Sequence, residues 1–310
     1  TVKIQDSDSP TVVTVTNVAD PVGIDYSPTT NSLLLSVNAD ANGLPNNFAR
    51  LGVLGGHTVL TNWSAVSNFT GEIKLATVKT TANGWTQGDT YFGTGQPGQI
   101  GWISANGTSV NTNWLTLSGE PNPIGGLYID QTGVFGGDLI VVSGASTFGG
   151  GVWRITAAKG ATKVAQINDS FGDGVDCEGV VTVPNNQAQY GPWAGNILTC
   201  GETAHLIFAV DVSGKITPYD LGLFTPEDVR LIPSGQNLYC TDAVNFVVWK
   251  VPQGNFSGFV GDVLFVNEAI NSPNALFIAH WTGGAFVMRQ LSFGGSFEHV
   301  AFAPIDIPGQ

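Results

Sequence analysis

The segment EGVVTVP at residues 178–184 decides the fold, because it recurs. The same frame returns as VGIDYSP at 22–28, EDVRLIP at 227–233 and EHVAFAP at 298–304. In each copy an apolar residue stands two places after the first, and a proline stands six places after it. Looser copies begin at Glu72 (EIKLATV) and Gly125 (GGLYIDQ). The six starts, 22, 72, 125, 178, 227 and 298, lie 49 to 71 residues apart. One four-stranded propeller blade takes about 40–50 residues, so the spacing suits a ring of blades with modest loops.

A second motif follows three of these starts: GDLIVVSG from Gly137, GNILTCGE from Gly195 and GDVLFVNE from Gly261. A turn-forming pair feeds a continuous apolar run, the pattern of a strand buried on both faces. Further runs follow, VWRITA from Val152, HLIFAVD from His205 and ALFIAHW from Ala275, two of them with Gly-containing turn signals close behind. No stretch between strands has the length of a crossover helix, which argues against a parallel α/β fold. The expectation is an all-β, six-bladed β-propeller spanning residues 1–310 as one domain. The long interval after 227 predicts an insertion near 235–260, with NFVVWKVP from Asn245 as a hairpin. If that insertion is itself a blade, the count becomes seven. Few residues follow 298, so a short last blade is expected to close by pairing of the N- and C-terminal segments, using VKIQD from Val2 and TVVTVTN from Thr11.

Composition narrows the partners. The formal net charge is −13, with only 11 Lys and Arg. Phosphate backbones and anionic membranes both need basic side chains, so nucleic acid and membrane surfaces are not expected. No apolar run approaches the roughly 20 residues that span a bilayer. The low charged fraction, the start at Thr1 and sequons at Asn62, Asn68, Asn106, Asn168 and Asn255 lead to the expectation of a secreted, extracellular and glycosylated monomer. Three cysteines, Cys177, Cys200 and Cys240, leave at least one unpaired; Cys200 and Cys240 stand in matching strand contexts and are candidates for neighbouring strands and a disulfide, against buried free thiols.

The first strand of each blade lines a propeller's channel, and its N-terminal end marks one mouth. The repeat therefore aims Glu72, Glu178, Glu227 and Glu298 at a common point, with Asp228 and His299 beside them. The ends of second strands add Asn38, Asp40, Glu202, Asp242, Asn267 and Glu268, and His205 follows Glu202 closely. Converging carboxylates repel unless a hard cation, shared protons or a basic partner offsets them. Lys74 and Arg230 are the obvious basic partners, and Ca²⁺ or another divalent cation is the obvious metal. The metal candidates are Glu72, Glu178, Glu227, Asp228 and Glu298. Glu178, Glu298 and His299 are the catalytic candidates, as acids, bases or ligands. Glu202, His205, Asp242 and Glu268 are the ligand-binding candidates. The alternative is that these side chains only cap the inner strands. Trp153 reads as packing between blades, whereas Trp85 and Trp193 lie in turn-rich stretches and are candidates for exposed contacts. The loop DSFGDGVD at 169–176 lacks the regular acidic alternation of a calcium loop and reads as a turn leading into Glu178.

The stretches GVFGGDLIVV from Gly133, EGVVTVPNN from Glu178, PEDV from Pro226, GDVLFVNE from Gly261 and FEHVAFAP from Phe297 resemble secreted bacterial and fungal propeller proteins, over most of the chain. More distantly they resemble the gluconolactonase, regucalcin and strictosidine-synthase propellers. The resemblance implies a divalent cation at the channel mouth that polarises a lactone carbonyl, with Glu178-Gly179 matching the opening Glu-Gly of a first strand. It points to a metal-dependent, lactonase-like hydrolase. The absence of a catalytic motif keeps two alternatives open: a non-catalytic module for carbohydrate or another small molecule, and a structural extracellular protein.

Overall fold

The computed structural model describes residues 3–8 (backbone only), 11–39, 47–64, 66, 69, 71–144, 149–268, 275–292 and 295–309. Asp40 and the sequon at Asn68 lie outside the described residues. Six antiparallel sheets form a six-bladed propeller. Blades I to IV each use four consecutive strands. Blade I comprises Ile24–Ser27, Ser32–Ser36, Phe48–Leu54 and His57–Asn62; blade II comprises Leu75–Thr77, Thr90–Gly93, Gln99–Ile103 and Val110–Thr116. Blade III comprises Ile124–Ile129, Leu139–Ser143, Gly151–Ile155 and Ala161–Gln166; blade IV comprises Cys177–Thr182, Ile197–Gly201, Leu206–Val210 and Ile216–Tyr219. The expected starts fall within three residues of the observed inner strands, because apolar alternation and the terminal proline mark strand limits locally.

Blades V and VI exchange segments. Pro226–Leu231 is the inner strand of blade V, whose later strands are Val263–Asn267, Ala275–Trp281 and Phe286–Ser292. Between them, the hairpin Asn237–Asp242 and Val247–Val251 leaves for blade VI. There it pairs with the inner strand Val300–Ala303 on one side and with Val13–Asn17 on the other. The segment near 235–260 is therefore not an insertion, and the sixth blade is full rather than short. The N- and C-terminal strands share blade VI at opposite edges and do not pair with each other, which corrects the expected mode of closure. The earlier strand Lys3–Asp8 adds to the outer edge of blade V, parallel to Phe286–Ser292.

Each blade buries its faces against its neighbours, and six apolar layers result among the described residues. Between blades IV and V, Val181, Cys200, Phe265 and Met288 meet, and Trp193 stacks on Phe286 with ring centroids 3.7 Å apart. Burying one such aliphatic or aromatic side chain stabilises by about 1.5–3 kcal/mol. Trp193 is fully buried, and Trp85 is buried with its Nε1 donating to the Gly137 carbonyl at 2.8 Å. Neither is an exposed platform: a turn-rich backbone does not prevent a ring from folding into a blade interface. Trp153 packs between blades II and III as expected. Cys177, Cys200 and Cys240 are free and buried. Cys200 and Cys240 occupy equivalent second strands, but in blades IV and VI, so they are not neighbours. No helix among the described residues is long and apolar enough to cross a membrane.

The C-terminal tail fastens the ring. The Tyr239 hydroxyl donates to the Ile305 carbonyl at 2.9 Å and accepts the Ile307 N–H at 3.0 Å. Lys250 donates to the Ile307 carbonyl, and Thr58 of blade I donates to the Pro308 carbonyl. Tyr239→Phe leaves the buried Ile307 N–H without its acceptor and should cost about 1–3 kcal/mol in denaturant unfolding. An unchanged midpoint would show that the tail does not depend on this anchor.

Candidate functional site: the acidic channel mouth

Local backbone irregularities aim the acidic side chains. Against the second strand of blade IV, Glu178 faces Cys200 and Val180 faces Thr199, so Gly179 is an extra residue, a β-bulge. Gly179 has φ +55°, and a Cβ there would lie 2.6 Å from the Asp228 Cα, which leaves glycine as the residue that fits. In blade V, Pro226 and Asp228 face consecutive partners, and Glu227 is the extra residue. Both bulges sit at the mouth, where they re-aim Glu178 and Glu227 and bring the inner strands of blades IV and V close together.

At the centre is Lys74, from the segment leading into the inner strand of blade II. Its side chain is 1% exposed, and its Nζ lies 2.7 Å from Glu227 Oε1, 2.8 Å from Glu178 Oε2 and 3.1 Å from Glu72 Oε2. The contact with Glu227 is a hydrogen bond; that with Glu178 is a charge contact without hydrogen-bond alignment. Burial alone would lower the lysine pKa, but Glu178, Glu227, Glu72 and Glu298 together hold it well above the usual range. Lys74 is therefore a fixed cation and not a nucleophile.

Around it the carboxyl groups form overlapping triads whose ligand atoms lie within 4.8 Å of one another: Glu72–Glu227–Glu298, Asp176–Glu178–Glu202, Glu202–Glu227–Glu268 and Glu178–Glu227–His299. Seven carboxyl groups thus crowd one mouth, and three of them, Glu72, Glu178 and Glu227, lie at ion-pair distance from its ammonium. The excess negative charge shows in their proton affinities. Burial, then Glu227, pushes Glu178 well above the carboxylate range despite Lys74. Burial pushes Glu298 up to about 9, with Lys74 opposing and Glu227 adding to the rise. Burial, with Glu227, Asp176 and Glu268, raises Glu202 to about 7. Glu268 is raised chiefly by burial and then Glu227. Glu72, at the solvent-facing rim, is lowered by Lys74.

The tier below is differently built. Asp228 is fully buried and pairs with Arg230 Nη1 at 2.6 Å while accepting the Val229 and Val300 N–H groups. Burial raises its pKa to about 6, with Arg230 holding it down. His299 is 2% exposed, and neither ring nitrogen has a hydrogen bond. Its Nδ1 lies 3.3 Å from Asp228 Oδ2. Burial, Lys74 and Arg230 depress its pKa well below the imidazole range, so this approach is a contact of a neutral ring and not an ion pair.

The sequence candidates thus separate. Glu72, Glu178, Glu202, Glu227, Glu268, Glu298 and His299 come together. Asp228 turns to Arg230, one tier down. Asp242 is spent on the Asn245 backbone and side chain, the Trp249 indole and the Ser296 N–H, capping the hairpin turn of blade VI. His205 is exposed; its Nδ1 contacts the Phe224 carbonyl and its ring stacks on Phe224. Asn267 accepts the Phe224 and Thr225 N–H groups. Asp176 joins the mouth without having been singled out; its position two residues before Glu178 was the available signal.

The fit to a divalent cation differs between the triads. At Glu178 and Glu227 the Lys74 ammonium already stands within ion-pair distance, so a metal against both would meet a buried positive charge. The Glu202–Glu227–Glu268 triad offers three carboxylates, the oxygen donors a hard cation takes, and neither Glu202 nor Glu268 has a cationic partner among the described residues.

Solved structures of gluconolactonase-like propellers share this fold. A gluconolactonase of Xanthomonas campestris matches with TM-score 0.56 at 11% identity, over 94% of this chain and 86% of that one. Another protein described as a gluconolactonase matches with TM-score 0.57 at 10% identity, over 93% and 83%. An auxiliary nutrient-binding protein of Bacteroides ovatus matches with TM-score 0.50 at 12% identity, over 76% of this chain and 60% of that one. At these identities the likeness establishes the fold. No family model and no curated protein sequence matches the chain.

Lys74→Met strands buried carboxylates, and removing one partner of a buried ion pair costs about 3–5 kcal/mol. The loss should be smaller at pH 5, where the carboxyl groups take up protons; equal loss at pH 5 and 8 would refute the charge account. The wild-type protein should itself lose stability as pH rises. Glu202 and Glu298 have folded-state pKa values raised from 4.5 to about 7 and about 9. Their protonation favours the folded state most fully below pH 4.5, and that contribution disappears as pH rises through 7 and then 9. Melting temperatures in chelator should fall from pH 5 to pH 9, and Glu298→Gln should flatten the upper part of the curve.

Proposed function

We propose that this chain is a secreted small-molecule propeller whose mouth takes one divalent cation, Ca²⁺ or a close equivalent, against Glu202, Glu227 and Glu268, and hydrolyses a lactone-type ester there. One observation carries the reading: among the described residues seven carboxyl groups crowd the mouth and only three of them pair with its buried ammonium, so the mouth lacks compensating positive charge. The gluconolactonase-like relatives of the fold suggest the substrate class. A bound cation would polarise the ester carbonyl as a Lewis acid. Glu298, held protonated by burial, donates a proton to the departing alkoxide. Glu72, kept ionised by Lys74, accepts a proton from the attacking water. Two neighbouring carboxyl groups with proton affinities pushed apart is the pattern of an acid–base pair. Lys74 holds Glu227 in place and limits the negative charge.

A second reading, capture of a sugar or other small molecule without turnover, is favoured by exposed Phe171, Phe224 and Phe246 on loops of the same face. The nutrient-binding relative agrees with it.

The test begins with the chelated protein. Ca²⁺, Mn²⁺ and Mg²⁺ are titrated against melting temperature, and hydrolysis of gluconolactone is followed by acid release. A cation at a hundredfold excess over its Kd stabilises by about 2.7 kcal/mol. The shift should disappear in Glu202→Gln/Glu268→Gln, and turnover should fall at least tenfold in Glu298→Gln and Glu72→Gln. No shift with any of the three cations defeats the cation assignment; a shift without turnover leaves the binding module.

A further inference from the structure

A cavity lies at the opposite end of the channel from the acidic mouth. Its volume is about 540 Å³, within the range of small-molecule pockets. It is lined where the inner strands end, and the prolines that close the sequence repeat, Pro28, Pro184, Pro233 and Pro304, all line it. The repeat therefore builds two sites at once, glutamates at one end of each copy and prolines at the other. None of Lys74, Glu178, Glu227, Asp228 and His299 lines the cavity.

Its polarity is the reverse of the mouth's. The ionic side chains on its wall are Lys79, Arg230 and Asp25, a net positive wall in a protein of net charge −13. Lys79 pairs with Asp25 at 2.6 Å, and this pair is partly exposed. Arg230 spends Nη1 on Asp228 and the Val229 carbonyl and Nε on the Val300 carbonyl. Among the described residues its Nη2 has no hydrogen-bond partner. The Tyr128 hydroxyl, also on the wall, makes no hydrogen bond to a described residue, and burial raises its pKa, so it stays protonated as a donor. Unspent guanidinium and phenol donors suit a carboxylate, and the rings of Tyr26 and Tyr128 with the prolines suit a flat apolar body.

We propose that this cavity is a second, independent binding site for a small aromatic carboxylate, held through Arg230 and Tyr128 and flanked by Lys79. Asp228 bonds Arg230 on its mouth side, so the arginine is fixed before the ligand arrives and needs no reorganisation.

Calorimetric titration of the full chain in chelator, with benzoate and 2-naphthoate as probes and benzyl alcohol as the uncharged control, tests the proposal. Saturable one-to-one binding of at least one carboxylate is expected, at least tenfold tighter than benzyl alcohol. Gln131 is an exposed residue of the cavity wall, and Gln131→Trp should weaken binding at least tenfold without unfolding the protein. Tyr128→Phe should weaken it less, through one lost hydrogen bond. Glu202→Gln, at the mouth, should leave it unchanged. The proposal is overturned if neither carboxylate binds, if Gln131→Trp binds as the wild type does, or if binding follows the Glu202 substitution. None of these results depends on a cation at the mouth, so this proposal and the hydrolase reading fail separately.

Discussion

One ammonium group organises the channel. Lys74 enters from blade II and reaches carboxylates of blades IV and V on the far side of the ring. Such a bridge is costly to build, because an ammonium and its partners must all leave water, and the attraction repays this only in close geometry. The bulges at Gly179 and Glu227 supply that geometry by displacing the inner strands from ideal register. Once Lys74 is in place, the proton affinities of the mouth follow. Glu72, at the rim and beside the ammonium, stays ionised, while the buried groups with less access to it, Glu298 and Glu202, hold protons near and above neutrality. A site with donors and acceptors at one pH arises from a single residue type buried to unequal depths around one cation.

The exchange between blades V and VI serves the ring in a different way. A propeller must join its first and last blades, and a simple joint would be one pair of strands. Here the hairpin Asn237–Val251 crosses into blade VI, between the C-terminal inner strand and the N-terminal outer strand. Opening the joint would therefore break strand pairing on both sides of the hairpin and strip the tail from Tyr239, Lys250 and Thr58. The inner strand of blade V and its later partners are held in the same way, since the chain leaves and returns through that hairpin. The closing region behaves as one unit of two blades rather than as a seam.

The channel is thus polar along its length. Carboxyl groups crowd one end, a neutral histidine and an Asp228–Arg230 pair fill the middle, and an apolar, net positive cavity opens at the other end. Asp228 is the hinge of this arrangement. It takes the arginine's charge on one oxygen and backbone N–H groups on both, which keeps a buried aspartate tolerable between compartments of opposite sign.

The sequence alone determined the blade frame. Apolar alternation, turn pairs and a recurring proline are local signals, and they placed inner strands to within three residues and brought seven of the ten candidate site residues to one cluster. Tertiary structure decided the rest. A repeat search assumes that a blade is contiguous, so the hairpin given to blade VI looked like an insertion in blade V. The direction of Asp228, one residue from Glu227, depends on a bulge that only the partner strand defines. Asp242 matched the second-strand pattern, yet four donors brought together by the hairpin turn and Ser296 consumed it. Trp193 lay in a turn but packs on Phe286, nearly a hundred residues away. Lys74 was legible as a basic residue, but not as the resident cation of the mouth. Which charge meets which across a channel is set by ring closure, and that distance has no counterpart along the chain.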